Sequence, residues 1–426
     1  MFRPTSRLLY RASALSSRHY DAVVVGAGIV GMTTAHELAS AGLSVCVVDR
    51  HSHVAAETSW VSSGQLEPVR VDHLQEYSDP AALGLKGIFN IVTGFPRWTL
   101  NYVLYELKTR LSPATSRAMT ADIQEMGRSS LAAAHDYAEK LGDKMPNNSF
   151  RFGKSSITSS CEFPFDPTDE SILQKTAETG EDVVTFRDHE IATGSPSDFC
   201  EALEKDLKEM GADFRYNCDF LGMEEGERSM VTSDGSVRGD KFVFCTGIAT
   251  DRFFPLLPMW GIIREYEFKS KTKGLFGTDD VCVNTLPAPK PGQQSYVVVV
   301  EHEGKRMLRL GGGAEVSATE PPISAFEAIL DRVGGHGEPV RDWIGCRAVS
   351  PDGAPVIGLL PGTSSCYVNC GQSFWGWTLS FGSARVLADH LARGKPIPDT
   401  FDPSRFVFSE GETGEAAPLQ RTISLQ

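Results

Sequence analysis

Three glycines and an aspartate carry the first legible chemistry in this chain. Ala22-Val23-Val24-Val25 runs directly into Gly26-Ala27-Gly28-Ile29-Val30-Gly31, and Asp49 follows 23 residues after Gly26. At G-x-G-x-x-G spacing the first glycine permits a tight turn and the second lets backbone approach a pyrophosphate. The third allows a helix to pack closely on a strand. The N–H groups and partial positive charge of a helix starting there suit phosphate. A carboxylate at Asp49 suits a ribose hydroxyl and would repel a 2′-phosphate, which argues against NADP.

Those residues need a strand, a helix and a second strand to position them. Val23 to Val25 is a β-branched run typical of a buried parallel strand. Met32 to Ala41 reads as a helix stopped by Gly42, and Leu43 to Val48 as the next strand, ending in Asp49. Strand, glycines, helix, strand and acid in this order predict a dinucleotide site with contacts at Gly26, Ala27, Gly28, Ile29, Val30, Gly31, Asp49 and Arg50. The chain holds one such unit. Gly311-Gly312-Gly313 follows a charged segment and precedes no helical pattern, so it reads as a strand end with a tight bend.

Other elements can be placed coarsely. Phe199, Leu203, Leu207 and Met210 have helical spacing, and Lys241 to Cys245 is an apolar strand ending near Gly247, a further candidate for close approach to a cofactor. Tyr296 to Val300 and Met307 to Leu310 flank Gly304 and read as a hairpin. No Ser-His-Asp set stands out. The nine cysteines are scattered, odd in number and without a C-x-x-C pair, and His51 and His53 are the only close histidines, so no metal site is expected.

Composition narrows the class. A 41% hydrophobic share can fill a core, and no uninterrupted apolar run is long enough to span a bilayer as a helix. Residues 1–19 contain Arg3, Arg7, Arg11 and Arg18, several serines and no acid, as a mitochondrial transit peptide would. Setting those four charges aside turns the net −14 into −18, and an acidic body has no footprint for nucleic acid. The address implied is the matrix, or the matrix face of the inner membrane. Lys86 to Leu107 offers apolar residues for peripheral membrane contact, but Pro96 interrupts it and a buried helix pair is favoured. The tail 406–426 reads as flexible.

Three further stretches complete a pattern: Glu57-Thr58-Ser59-Trp60-Val61-Ser62-Ser63-Gly64-Gln65, Trp343-Ile344-Gly345-Cys346-Arg347-Ala348 through Pro351-Asp352-Gly353, and Asn369-Cys370-Gly371-Gln372 through Gly376-Trp377-Thr378. With the glycine cradle they resemble the D-amino acid oxidase/dehydrogenase superfamily of FAD enzymes, in particular the D-amino acid dehydrogenase small subunit, over roughly residues 21 to 405. The resemblance implies an α/β fold in which an FAD-binding Rossmann-like domain (20–75, 195–255 and 341–405) is interleaved with an antiparallel-sheet substrate domain (76–194 and 256–340).

It also implies roles. Ser59, Ser62, Ser63, Gly64 and Gln65 would lie along the FAD pyrophosphate and isoalloxazine, although Ser62 stands where the dehydrogenases commonly carry Asn. Gly247 and the Gly376-Trp377-Thr378 turn would approach the cofactor, with Thr378 and helix N–H groups stabilising charge that develops at the flavin pyrimidine edge. Arg347 would bind the substrate carboxylate, a task suited to a planar guanidinium that makes bidentate, charge-assisted bonds and keeps its proton. The implied activity is oxidation of the C–N bond of an amino acid, a D-amino acid in the nearest resemblance. Hydride would pass from Cα to flavin N5, leaving an imine that hydrolyses to a 2-oxo acid and ammonia. Oxygen, a quinone or an electron-transfer flavoprotein would take the electrons. An N-methyl amino acid or 2-hydroxy acid as substrate, and an FAD-binding assembly factor of a respiratory complex, are the competing readings.

Overall fold

The β-branched run at the start of the chain becomes the centre of a parallel sheet. The computed structural model describes residues 18–60, 62, 64–66, 68, 112–145, 150–159, 172–175, 182–224, 226–267, 282–286, 295–302, 305–327 and 339–406. Strand β1 (His19–Val25) lies between β2 (Val45–Val48) and β10 (Gly235–Phe244), and β7 (Asp213–Arg215) and β17 (Cys366–Cys370) extend the sheet in parallel on either side. An antiparallel strand, β16 (Val356–Leu359), closes the β17 edge. Helix α1 (Ile29–Ser40) connects β1 to β2, which makes the opening unit a β–α–β crossover.

Alternation along β1 explains why its whole run is apolar. Ala22 and Val24 enter one buried cluster with α1 and the other helices, while Val23 and Val25 enter a second cluster on the opposite face. A parallel strand covered on both faces needs apolar residues at every position. The helical layer contains α1, α2 (Pro113–Leu141), α3 (Pro196–Glu209) and α4 (Gly376–Arg393). Ser195 caps α3, its Oγ accepting from Asp198 N at 3.3 Å, and Pro196 takes the first helical position, where its missing N–H costs nothing. The opposite face is covered by the ribbon β8 (Phe220–Met223) and β9 (Ser229–Thr232), which carries Met223 and Met230 into the second cluster.

Two antiparallel sheets make the rest. One has the order β12 (Cys282–Leu286), β13 (Ser295–His302), β14 (Lys305–Val316), β11 (Leu257–Glu267), β15 (Arg341–Val349). The other joins β3 (Gln65–Leu66), β6 (Asp182–Gly194) and β4 (Phe150–Ser159), with β5 (Ile172–Lys175) also on β6. The expected hairpin is β13–β14, in register from His302 opposite Lys305 to Ser295 opposite Gly312.

Three expectations need correction. Residues 113–141 were expected in the substrate part, yet Met119, Ile123, Met126, Ala133, Ala134 and Tyr137 of α2 belong to the core under the parallel sheet. Gly382 of α4 makes that approach possible, since a Cβ there would stand 2.5 Å from the Met126 carbonyl oxygen. The boundary at 341 falls on the wrong side of β15, which pairs along its whole length with β11. The Arg347 motif runs without a break into cofactor-side residues, so no composition change marks the crossing. Gly311 to Gly313 is no strand end: it lies inside β14, where a register shift opposite Trp260 and Ile262 is met by Gly313 at φ +89°.

Among the described residues no helix is long and apolar enough to cross a membrane, and no cluster of His, Cys, Asp and Glu forms a metal site. The seven cysteines described by side chain are free and buried. Residues 1–17, the stretch Lys86 to Leu107, and the tail from 407 onward lie outside the described residues.

Candidate FAD and substrate site

The cradle is built by backbone. Gly26 sits at φ +107°, and a Cβ there would lie 2.5 Å from the Cys245 carbonyl oxygen at the end of β10. Gly31 presses the first turn of α1 onto the Gly26 carbonyl, well inside the distance any side chain would tolerate. Helix α1 opens at Gly28, which has no side chain to cap it. Ser59 supports this turn, its Oγ accepting from Ile29 N at 2.9 Å. Asp49 closes the far side: Oδ2 accepts from Ala27 N at 2.6 Å and Oδ1 from His51 N at 2.7 Å. The acid therefore fixes the glycine turn as well as facing the cavity.

A cavity of about 690 Å³ begins at this cradle and ends against the five-stranded sheet. Its walls include Gly26, Gly28, Ile29, Val30, Asp49, Arg50, Ser59, Ser62, Gln65, Gly247, Arg347, Gly376 and Trp377. Residues drawn from five separate stretches of sequence (26–50, 59–65, 247, 347 and 376–377) thus meet in one volume. Ala27, Gly31 and Gly64 support it from behind. Gly64 does so through its carbonyl, which accepts from Gly194 N at 2.7 Å. Ser63 lies outside the described residues.

Arg50 and Glu57 form an ion pair beside the cradle, and His51 Nε2 lies 2.7 Å from Glu57 Oε1. Burial opposes the Glu57 charge, but the hydrogen bonds from His51 and Arg50 overcome it and hold the carboxyl below its usual range. The same hydrogen bond with Glu57 raises Arg50.

At the sheet end Arg347 stands on β15. Its Nη1 donates to the Gly313 carbonyl at 2.9 Å, and its guanidinium lies 4.8 Å from the centre of the Phe374 ring. Gly261, across the strand pair, leaves room for it: a Cβ there would come within 2.6 Å of Nη2. The Gly313 carbonyl is available because the bulged stretch of β14 turns it toward Arg347. Thr58 ties the cradle loop to this strand, its Oγ1 donating to the Cys346 carbonyl at 2.8 Å. Burial pushes the neighbouring Cys346 thiol up to about 12, so it stays protonated and inert.

Thr378 is placed differently from Arg347. It is 1% exposed, its hydroxyl is directed at the Gln65 carbonyl at 3.5 Å, and the cavity wall at this turn is made by Gly376 and Trp377. Position three of a helix that starts at Gly376 faces inward, onto the loop behind the cavity.

Several wall residues were given no role by the sequence. Trp260 and Phe374 flank the Arg347 end, with Trp260 Nε1 donating to the Ser317 carbonyl at 2.8 Å. Asn369 and Gln372 form a buried chain, Gln372 Nε2 to Asn369 Oδ1 at 2.8 Å and Asn369 Nδ2 to Thr34 Oγ1 at 3.1 Å. Gln372 lies in one of the motifs that carry the family resemblance, but its tie to α1 through Asn369 requires the fold.

These residues fit a dinucleotide with a ring system. The glycine turn leaves no room for side chains where phosphate would sit, and Trp375 Nε1 is buried at the cavity wall with no hydrogen-bond partner among the described residues. A bound group with polar ring edges supplies such a partner.

The family model described as "FAD dependent oxidoreductase" matches residues 21–390. The D-amino acid dehydrogenase of Cereibacter sphaeroides is 28% identical, covering 89% of this chain and 93% of its own length. The D-amino acid dehydrogenase of Vibrio cholerae is 27% identical, covering 88% and 96%. Among solved structures, glycine oxidase from Geobacillus kaustophilus superposes with a TM-score of 0.62 at 16% identity over 92% of this chain and 99% of its own. L-proline dehydrogenase from P. horikoshii gives 0.60 at 17% over 91% and 98%. With the cradle and Arg347 in a shared cavity and a family match across the parallel and antiparallel parts alike, the chain belongs to the FAD-dependent oxidoreductase family.

Proposed function

We propose that the protein oxidises the C–N bond of D-amino acids. The observation that carries this reading is Arg347: a guanidinium on the antiparallel sheet, walled by Phe374 and Trp260, in the same cavity as the cofactor cradle. It would pair with the substrate carboxylate in two charge-assisted bonds, which orients Cα toward the cofactor. The D configuration rests on the names of the curated relatives.

Gly26 to Gly31, Asp49, Arg50, Ser59, Ser62 and Gln65 would hold FAD, which would supply the two-electron acceptor when bound. The chain's own residues bind and orient the substrate, and the apolar walls Trp260, Ile344 and Phe374 shed water from the reacting end. The substrate loses its Cα hydrogen with the bonding pair, and the imino acid hydrolyses to a 2-oxo acid and ammonia. Thr378 acts here through the Gln65 carbonyl, by setting the loop that lines the cavity.

Anaerobic addition of substrates to the yellow protein tests this. D-amino acids should bleach the visible flavin band while their L enantiomers do not. A panel of D-amino acids, sarcosine and 2-hydroxyglutarate that leaves the flavin oxidised would overturn the enzyme reading, and bleaching by sarcosine or 2-hydroxyglutarate alone would move the substrate class. Reoxidation by oxygen, a quinone or an electron-transfer flavoprotein then identifies the acceptor. The Arg-rich leader supports a mitochondrial address, tested by whether residues 1–19 carry a reporter into the matrix.

A further inference from the structure

A buried ion pair links the antiparallel sheet to the cofactor loop. Glu265 on β11 and Arg309 on β14 are directly opposite each other in register, and both side chains are 1% exposed. Arg309 Nε donates to Glu265 Oε1 at 2.5 Å. Arg309 Nη1 reaches out of the sheet and donates to the Ser62 carbonyl at 3.2 Å. Its Nη2 is buried and makes no hydrogen bond with the described residues.

Stability alone is a poor account of this arrangement. An ion pair taken fully out of water is often no better than two apolar side chains of similar size, and an unsatisfied guanidinium nitrogen adds to its cost. What an apolar pair cannot do is hold the Ser62 carbonyl. Ser62 and Gln65 both line the cavity. Three residues on, the loop is sewn to the other antiparallel sheet, with Gln65 opposite Thr193, Leu66 opposite Ala192, and the Gly64 carbonyl accepting from Gly194 N. One end of the loop is therefore fixed by a strand ladder and the other by Arg309.

We infer that Glu265 and Arg309 are positioning residues for the cofactor: Glu265 orients the guanidinium, and Arg309 fixes the Ser62 carbonyl so that Ser62 and Gln65 present a set wall to FAD. The role is distinct from substrate binding at Arg347, and its test uses no substrate, so its failure leaves the proposed reaction untouched.

The experiment compares Arg309→Met, Glu265→Leu/Arg309→Met and Glu265→Gln with the parent holoprotein. Tm, the rate of FAD release on dilution (followed by flavin fluorescence) and the shape of the visible flavin band are read. Arg309→Met strands a buried carboxylate and lowers Tm. The double variant removes both charges and recovers most of that loss, yet releases FAD at least tenfold faster than the parent, with a smoothed flavin band. A merely structural pair gives the opposite split: a double variant with parental Tm, FAD release within twofold of the parent and an unchanged band overturns the inference. Should the double variant fail to fold, Glu265→Gln decides, since it keeps an acceptor for Arg309 but removes the charge that holds it. Release accelerated severalfold supports the positioning role, and release at the parental rate refutes it.

Discussion

The two ends of the cavity are made of different material. At the cradle, backbone forms the wall: Gly26 and Gly31 have no space for a Cβ, and the hydrogen bonds that count involve main-chain N–H groups of Ala27 and Ile29. At the antiparallel sheet, side chains do the work: Arg347, Phe374 and Trp260 arrive from different strands and loops. A backbone wall binds a ligand common to a whole family and tolerates almost no substitution. A side-chain wall can be rebuilt one residue at a time.

The largest effect should come from adding a methyl group to the backbone wall. Gly31→Ala places a Cβ on the Gly26 carbonyl and forces α1 off the turn, an overpacking cost of about 1–3 kcal/mol or more. The variant should purify without flavin, seen as a lost visible band relative to protein absorbance; a fully loaded variant would break the contrast drawn above. Next is Arg347→Ala. Loss of charge-assisted bonds worth about 1.5–3 kcal/mol should weaken carboxylate binding roughly 10- to 100-fold while flavin content stays at the parental level. If flavin is lost as well, the two ends are not separable.

Asp49→Asn should follow, weakening FAD by about tenfold, because the amide can accept only one of the two N–H bonds that Asp49 accepts. Equilibrium titration of FAD checks this, and KM for substrate should not move. Gly261→Ala is the counterpart at the other end. Its Cβ crowds the Arg347 guanidinium, which can swing aside, so KM should rise a few-fold with FAD affinity unchanged.

The smallest effect is one of pH and belongs to the cradle side alone. His36 of α1 is buried, with Nε2 2.7 Å from Asp206 Oδ2 and Nδ1 3.0 Å from the Tyr137 hydroxyl. Burial lowers its pKa below 6.5, outweighing the pull of Asp206. The unfolded chain therefore takes up a proton first as pH falls. The stability His36 contributes is complete above about pH 6.5 and is lost as pH drops through its folded value. Tm should decline from pH 7 to 5, and His36→Gln should flatten that decline.

How much of this was legible follows the same division. The run from Val23 to Asp49 is local: turn, helix and strand leave their marks within about thirty residues, so the cradle is readable from the sequence alone. Arg347 was legible through its motif, but the sheet that holds it was not, because strand partners are chosen by long-range register and β15 carries no composition change. Helix α2 shows an apolar stripe without saying which core it faces; the answer lies in the small Gly382, 256 residues after the Met126 it meets (382 − 126). Thr378 sits beside the right residues but on the inward side of the helix, a matter of 100° per residue. Glu265 and Arg309, 44 residues apart, look like ordinary charges on two amphipathic strands until register sets them face to face.

The central position of β1 has a consequence for the life of the chain. Its neighbour β10 is not made until residues 235–244, and β17, which completes the parallel run, not until 366–370. During synthesis the first strand must wait, unpaired on that side, until Gly235–Phe244 has emerged. Every nascent chain is therefore long and sticky before it can seal its sheet, and a ribosome that stalls before Cys366–Cys370 leaves a product for chaperones and proteases. A cavity walled in part by Asn369, Gln372 and Gly376 cannot be complete until that point of translation has passed.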